Sequence, residues 1–354
     1  MAFLLVPRWF WQKLFPHAWE KMMSYFLAGD LGGTKAILAL YATTGQGYAL
    51  VKEQRFASSD YDGLFGIIAD FLAGSEQYPQ IAAFGVAGPV AGGRVRMTNL
   101  GWHLDQEILR EQFQFTEVIL LNDLVAVAQA VSTLASEDLL VVNAGTSVLQ
   151  GNRAVLAPGT GLGEAYLCWD GTGYTAYASE GGHVDFAPTS EIEQGLLSFL
   201  REEYAHVSYE LICSGKGIPN IYRYLTAGAG MKVPKALQAA LDAAPDITQV
   251  LMAQALEKEG AVARLSMEIF FSVLAAEAGN MALKFLSTGG LYLGGGLLPR
   301  LFPLFDAKKF MERFVSKGRM AGILATVPVR IITTDRAGLN GAALSAFRRL
   351  KTDD

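Results

Sequence analysis

Cysteine is nearly missing from this chain: only Cys168 and Cys213 occur among 354 residues. They show neither the close pairing of a redox dithiol nor a metal-ligand spacing, and their apolar neighbours suit reduced core thiols, which points to the cytoplasm. Positive charge is not in excess either. With 29 Lys and Arg against 34 Asp and Glu, and a net charge of -5, the chain lacks the basic stripe that a nucleic-acid backbone demands. Nucleic acid is therefore not an expected partner, and a small-molecule substrate is the default. Long apolar runs are lacking at the start. Phe3-Leu4-Leu5-Val6 falls far short of the roughly 20 residues that span a bilayer, and Arg8 and Lys13 follow it, where a secretory signal would place its charge in front. Residues 1–24 read as a poorly ordered extension, or as an over-long reading frame whose true start is Met22 or Met23. Trp9, Phe10, Trp11 and Trp19 leave an aromatic interfacial anchor as the alternative, but no stable membrane association is expected. Low-complexity linkers and short-period repeats are also missing, which favours two interlocked lobes over separate beads.

Glycine and apolar residues are plentiful. The 38 glycines and 51% hydrophobic content describe a globular α/β chain long enough for two packed cores. From Tyr25 an apolar run reaches Asp30, a Gly-Gly-Thr turn follows, a strand resumes over Ile37 to Tyr41, and Thr44-Gly45-Gln46-Gly47 turns into a third. A helix is predicted over Tyr61 to Ala73, with strands over Ile81 to Val86 and Glu117 to Leu121. Asp123 opens a helix through about Leu134, where unpaired backbone donors and the helix dipole are expected to hold its carboxylate ionised. Later strands are predicted over Asp138 to Asn143, Leu291 to Leu293 and Val327 to Ile332. Helices are predicted over Glu191 to Tyr204, Pro219 to Leu225, Ile247 to Leu286 and Ala337 to Leu350. The expected domains are a small α/β unit, 25–134 completed by a C-terminal helix in 337–354, and a large α/β unit, 135–336.

The glycines concentrate in turns with polar neighbours. Asp30-Leu31-Gly32-Gly33-Thr34-Lys35 lies between two strands, so its glycines permit close approach of phosphate oxygens, while Asp30 suits magnesium directly or through water. It is not a P-loop, because the Gly-Lys-Thr order is absent and a strand follows. An ordinary glycine hairpin is the alternative. Gly159-Thr160-Gly161-Leu162-Gly163 fails the dinucleotide fingerprint, since Glu164 stands where the third glycine belongs. NAD is disfavoured, and a second glycine turn would clamp a triphosphate. Gly294-Gly295-Gly296 offers flat backbone to a nucleotide base or ribose, or is only a strand-to-helix turn. Asn122-Asp123 and Glu180-Gly181-Gly182-His183 combine carboxylates, an amide and an imidazole, the groups that grip a vicinal polyol. Glu210 has little to mark it and reads as a surface helix residue.

These residues in this order resemble the bacterial glucokinase family of the sugar kinase, actin and heat-shock chaperone superfamily, from about Tyr25 to Arg349. The resemblance extends to Gly88-Pro89, Thr98-Asn99-Leu100-Gly101-Trp102, Leu121-Asn122-Asp123-Leu124, the run from Ser179 to Pro188, and Lys317-Gly318-Arg319. It implies a two-lobed, actin-like ATPase (ribonuclease H-like) fold with a mixed sheet in each lobe and an interlobe cleft. It also implies that Asn99, Asn122, Asp123, Glu180, His183 and Glu210 hold glucose, with Asp123 as base, and it lifts Glu210 out of the surface reading. ATP is expected on Asp30, Gly32, Gly33, Thr34, Lys35, Gly159, Thr160, Gly161 and Gly294 to Gly296, with Mg2+ near Asp30. The repressor, open-reading-frame and kinase (ROK) family shares the first glycine loop, but its members usually carry a clustered-cysteine zinc motif that this chain lacks. Their repressors need a helix-turn-helix module, for which the segment before Tyr25 is too short.

The resemblance implies transfer of the γ-phosphoryl of ATP to the 6-hydroxyl of glucose, with a homodimer left open. Rival expectations are a kinase for fructose, mannose or an amino sugar, a non-catalytic sugar-sensing regulator, and an ATPase of the actin or chaperone type. The last would have no need for Glu180 with His183.

Overall fold

A computed structural model describes residues 24–97, 100–257 and 260–352. The chain divides into two compact units, one holding the described residues up to Ala130 with those from Gly338 onward, the other Val131–Ala337. In the first unit β1 (Tyr25–Leu31), β2 (Lys35–Thr44) and β3 (Gly47–Ala57) form an antiparallel meander. Then β4 (Ile81–Val86) pairs parallel with β1, followed by the small sheet β5 (Val90–Ala91), β6 (Arg94–Met97) and β7 (Trp102–Asp105), and by β8 (Glu117–Asn122) alongside β4. The main sheet has the order β3-β2-β1-β4-β8.

Every residue of β4 is buried, as a strand covered on both faces requires. Side chains of β1 alternate between the two covers. Leu27 and Leu31 join Leu64, Ile67, Ile68 and Phe71 of the helix Leu64–Leu72, while Phe26 and Ala28 meet Leu339, Ala342, Ala343 and Ala346 of the C-terminal helix Ala337–Thr352. That helix comes unusually close to the helix Asp123–Ala130, for a Cβ on Gly341 would fall 1.7 Å from the Ala126 carbonyl oxygen.

The second unit contains β9 (Leu139–Asn143), β10 (Arg153–Pro158), β11 (Leu162–Trp169), β12 (Tyr174–Ser179), β13 (Gly290–Leu293) and β14 (Val329–Ile332), in the order β12-β11-β10-β13-β14-β9. Its β10-β11-β12 meander and parallel β10-β13-β14 ladder repeat the topology of the first unit, with β9 added antiparallel at the edge. The helix Ala261–Lys284 runs through the core of this unit, with most of its residues buried.

Several expected elements change length. The helical stretch Ile247 to Leu286 is two helices, Ile247–Leu256 and Ala261–Lys284, parted near Gly260, where a Cβ would lie 1.8 Å from the Gln254 carbonyl oxygen. The helix opened by Asp123 ends at Ala130, and the one from Glu191 ends at Leu200. Strands β5 to β7 and the helix Lys235–Ala243 were not anticipated. Residues 1–23 of the expected extension lie outside the described residues, as does Asn99. Among the described residues no helix is long and apolar enough to cross a membrane.

Candidate active site

In the first unit the register brings two motifs to one end of the sheet. Leu31 pairs with Val86 and Val86 with Asn122, so the Asp30–Lys35 hairpin and Asn122-Asp123 both follow the carboxyl ends of parallel strands, where open α/β sheets place their ligands. The hairpin closes through Gly32 N–H donating to the Lys35 carbonyl at 2.9 Å, and Ser58 Oγ donates to the Gly32 carbonyl at 3.0 Å. The Asp30 carboxyl lies against the first turn of the C-terminal helix, each of its atoms 3.0 Å from where a Cβ of Gly338 would stand. Helix N-termini favour a charged carboxylate. Gly32 and Gly33 are half-buried, and Thr34 and Lys35 are exposed at the turn.

Asn122 is the N-cap of the helix it precedes. Its Oδ1 accepts from Leu124 N at 3.0 Å and Val125 N at 3.3 Å, and its Nδ2 donates to the Gly88 carbonyl at 3.1 Å. The same amide also donates toward the neighbouring Asp123 carboxyl, so it ties the helix start to the acid beside it. Asp123 accepts from Leu124 N at 2.8 Å. Its carboxyl is nevertheless held above the ordinary aspartate range: the side chain is exposed to solvent, but the protein packed around it disfavours the charge more than the backbone donors of Leu124 and Asp123 and the Asn122 amide favour it.

In the second unit three segments are bonded into one body. Gly159 N–H donates to the Gly161 carbonyl, and Gly215 N–H donates to the Gly159 carbonyl, each at 2.8 Å. Leu162 N–H donates to Glu210 Oε2 at 2.9 Å, and a Cβ on Gly161 would meet that same oxygen at 2.3 Å. Glu210 N–H in turn donates to the Gly182 carbonyl at 2.9 Å. Glu210 is thus a half-buried strut between the Gly159–Gly161 turn and the Glu180–His183 turn, far from the surface helix residue its neighbours implied. Glu180 and His183 project outward, with side chains 78% and 59% exposed and Nε2 to Oε2 at 4.0 Å. The triple glycine packs on the same body. Gly294 N–H donates to the Leu156 carbonyl at 2.9 Å, and Gly295, at φ +87°, sits where a Cβ would be 2.3 Å from the Pro158 carbonyl oxygen.

Beside these glycines lies a cavity of about 730 Å³ lined by Gly159, Thr160 and Gly296 together with Lys216, Thr248, Gln249, Met252 and Arg300. Sequence reasoning missed this second group. Thr248 Oγ1 donates to the Gly215 carbonyl at 2.8 Å, and Asp246 caps the helix that carries Thr248, Gln249 and Met252. An Asp-Ile-Thr start to a helix was the available signal, but nothing local tied it to Gly159 about 90 residues earlier. Among the described residues no group of three His, Cys, Asp or Glu side chains could enclose a metal ion.

A family model described as Glucokinase matches residues 27–349. The Glucokinase of Nostoc punctiforme is 36% identical over 350 residues, spanning 92% of this chain and 100% of that protein. A crystal structure of glucokinase from an Antarctic psychrotroph matches with a TM-score of 0.82 at 33% identity, over 92% of this chain and 99% of that one. More distant is a ROK-family glucokinase from Streptomyces griseus, solved with glucose and AMPPNP, which shares the fold at a TM-score of 0.58 and 18% identity over 92% and 99% of the two chains. The shared architecture is the actin-like ATPase fold of sugar kinases.

Proposed function

This chain belongs to the glucokinase family and phosphorylates glucose at the expense of ATP, and from that premise we propose that Asp123 is the base for the reaction. It takes the proton of the 6-hydroxyl as that oxygen attacks the γ-phosphoryl of ATP in line, giving glucose-6-phosphate and ADP. The upward displacement of its carboxyl supports this role, because a carboxylate above the ordinary range is a stronger proton acceptor once ionised. Asn122 holds the helix start that carries Asp123 and is assigned, with it, to the sugar. Glu180, His183 and Glu210 accept and donate to the other hydroxyls, with Asn99 assigned to the same task.

The single observation that carries the reading is the Glu210 strut. One carboxylate bonds the amide at the end of the Gly159–Gly161 turn while its own backbone holds the Glu180–His183 turn, so nucleotide and sugar segments share one rigid support. Phosphate is assigned to Gly32, Gly33, Thr34 and Lys35 in the first unit and to the Gly159–Gly161 turn in the second, and the nucleoside to the cavity lined by Gly296 and Thr248. The half-buried Asp30 carboxyl would suit a Mg2+ ion brought by nucleotide phosphates, holding it directly or through water. When bound, that ion would neutralise phosphate charge. Two free cysteines support a cytoplasmic setting, where ATP and glucose meet.

The test is glucose-dependent ADP formation across a panel of phosphoryl donors, with Asp123→Ala beside the native chain. The variant is expected to bind glucose measurably while losing roughly several-hundred-fold or more in kcat; near-normal turnover would remove Asp123 from the mechanism. Fructose, mannose and glucosamine test the sugar contacts, since an inverted or missing hydroxyl leaves a polar partner unpaired at about 1 to 3 kcal/mol.

A further inference from the structure

Beneath the Glu180–His183 turn lies a carboxyl that the reaction does not use. Glu164, on β11, is 3% exposed, and its Oε1 has no hydrogen-bond partner. Its other oxygen presses on the turn itself: a Cβ on Gly181 would stand 1.8 Å from Glu164 Oε2 and 2.7 Å from Cδ. Glu164 pairs across the sheet with Ser179, whose Oγ accepts from Gly181 N at 3.0 Å. The carboxyl is therefore a wedge under the backbone that carries Glu180 and His183.

Behind the wedge is a second buried acid. Glu277, on the helix Ala261–Lys284, is fully buried, accepts from Lys284 Nζ at 3.1 Å and Asn280 Nδ2 at 2.8 Å, and receives the Tyr209 hydroxyl next to Glu210. Lys317 Nζ donates to Asn280 Oδ1 at 2.5 Å. The groups facing Glu164 and its acid neighbour are thus Lys284, Lys317, Tyr209 and the Cys213 thiol, which feels both carboxyls.

Resting on the assignment of Glu180 and His183 to the sugar, we propose that Glu164 in its neutral form is a positioning residue for glucose, and that its ionisation loosens the sugar turn and sets the alkaline limit of sugar affinity. Burial first, then the Glu277 charge, push its carboxyl up to about 8, against the pull of Lys284. Tyr209 and Cys213 are raised by burial and stay neutral in this range. Lys317 is the one neighbour displaced downward, by burial and the Arg313 charge, so it is the rival titrant. An ionised Glu164 would have no donor for Oε1, a carboxylate behind it and the Gly181 backbone against it.

The experiment measures KM for glucose and for ATP between pH 6.5 and 9.5. In the native chain, KM for glucose is expected to rise above pH 8 toward roughly tenfold per unit, with KM for ATP flat. Glu164→Gln, a neutral isostere, should abolish the rise, while Glu164→Ala, which removes the wedge, should raise KM for glucose at every pH. An unchanged rise in Glu164→Gln overturns the proposal. If that variant does not fold, as judged by circular dichroism, Lys317→Arg decides: a retained rise supports Glu164, and a lost rise assigns the titration to Lys317. His183→Ala at neutral pH tests the underlying assignment separately. A native KM there sinks the sugar reading, whereas a raised KM alongside an unaltered Glu164→Gln profile sinks only the role of Glu164.

Discussion

Asn122 shows how one side chain can serve structure and ligand together. Its amide spends two acceptor bonds on the helix start, one donor bond on Gly88 and another on the Asp123 carboxyl, so it positions the group assigned as base. Asn122→Ala is expected to lower stability by about 1 kcal/mol through loss of the cap and to raise KM for glucose; Asn122→Asp keeps the cap and should recover most of the melting temperature but not the affinity. Thermal melts with glucose kinetics on both variants check this, and equal losses in the two would refute the capping role. Asp123 carries a pH signature of its own. A base must be ionised to work, so kcat/KM should fall on acidification through a carboxyl lying above the ordinary aspartate value of about 3.9. An acid limb at or below that value would contradict the displacement.

Among the elements, the turns do more than the strands. Gly161 lies where any side chain would strike the Glu210 carboxylate, which is the strut between nucleotide and sugar segments. Gly161→Ala should therefore raise KM for both substrates, whereas Thr248→Ala, which frees the Gly215 carbonyl beside the cavity, should raise KM for ATP alone. A Thr248→Ala variant altered only toward glucose would place the nucleoside elsewhere. Much of this layer was legible in the sequence, for physical reasons. The strand Ile81–Val86 is apolar throughout because it is covered on both faces, and the glycine turns include positions such as Gly161, Gly182 and Gly295 where close neighbours forbid a Cβ. Glu210 was legible only through the family resemblance, and Lys216, Thr248, Gln249, Met252 and Arg300 not at all, since their meaning comes from contacts across tens of residues rather than from local pattern. The break near Gly260 was hidden by apolar spacing that continues on both sides of it.

At the scale of the molecule, the chain builds the same meander-plus-parallel order twice without a sequence repeat to announce it, because the pattern of burial is reused while the residues are not. The second unit then adds ionisable groups both at its surface and in its core, and these shape stability against pH. Asp170 accepts from Thr172, Gly173 and Thr175 and is held well below the usual carboxylate range, so its contribution is present above the ordinary value and lost in strong acid. Glu164 works in the opposite sense. Its carboxyl rises from the ordinary 4.5 to about 8, so the folded chain holds a proton that the unfolded chain releases within that window. Its stabilising contribution is complete below pH 4.5 and drains away as pH climbs through about 8, then levels off. Since the native chain and Glu164→Gln share Asp170, the difference between their unfolding free energies isolates the buried acid. Denaturant melts at intervals from pH 4 to 9 should show Glu164→Gln gaining on the native chain across that window and running parallel to it above. Curves that stay parallel throughout would mean that Glu164 ionises near its ordinary value, through water or a partner that relieves its burial.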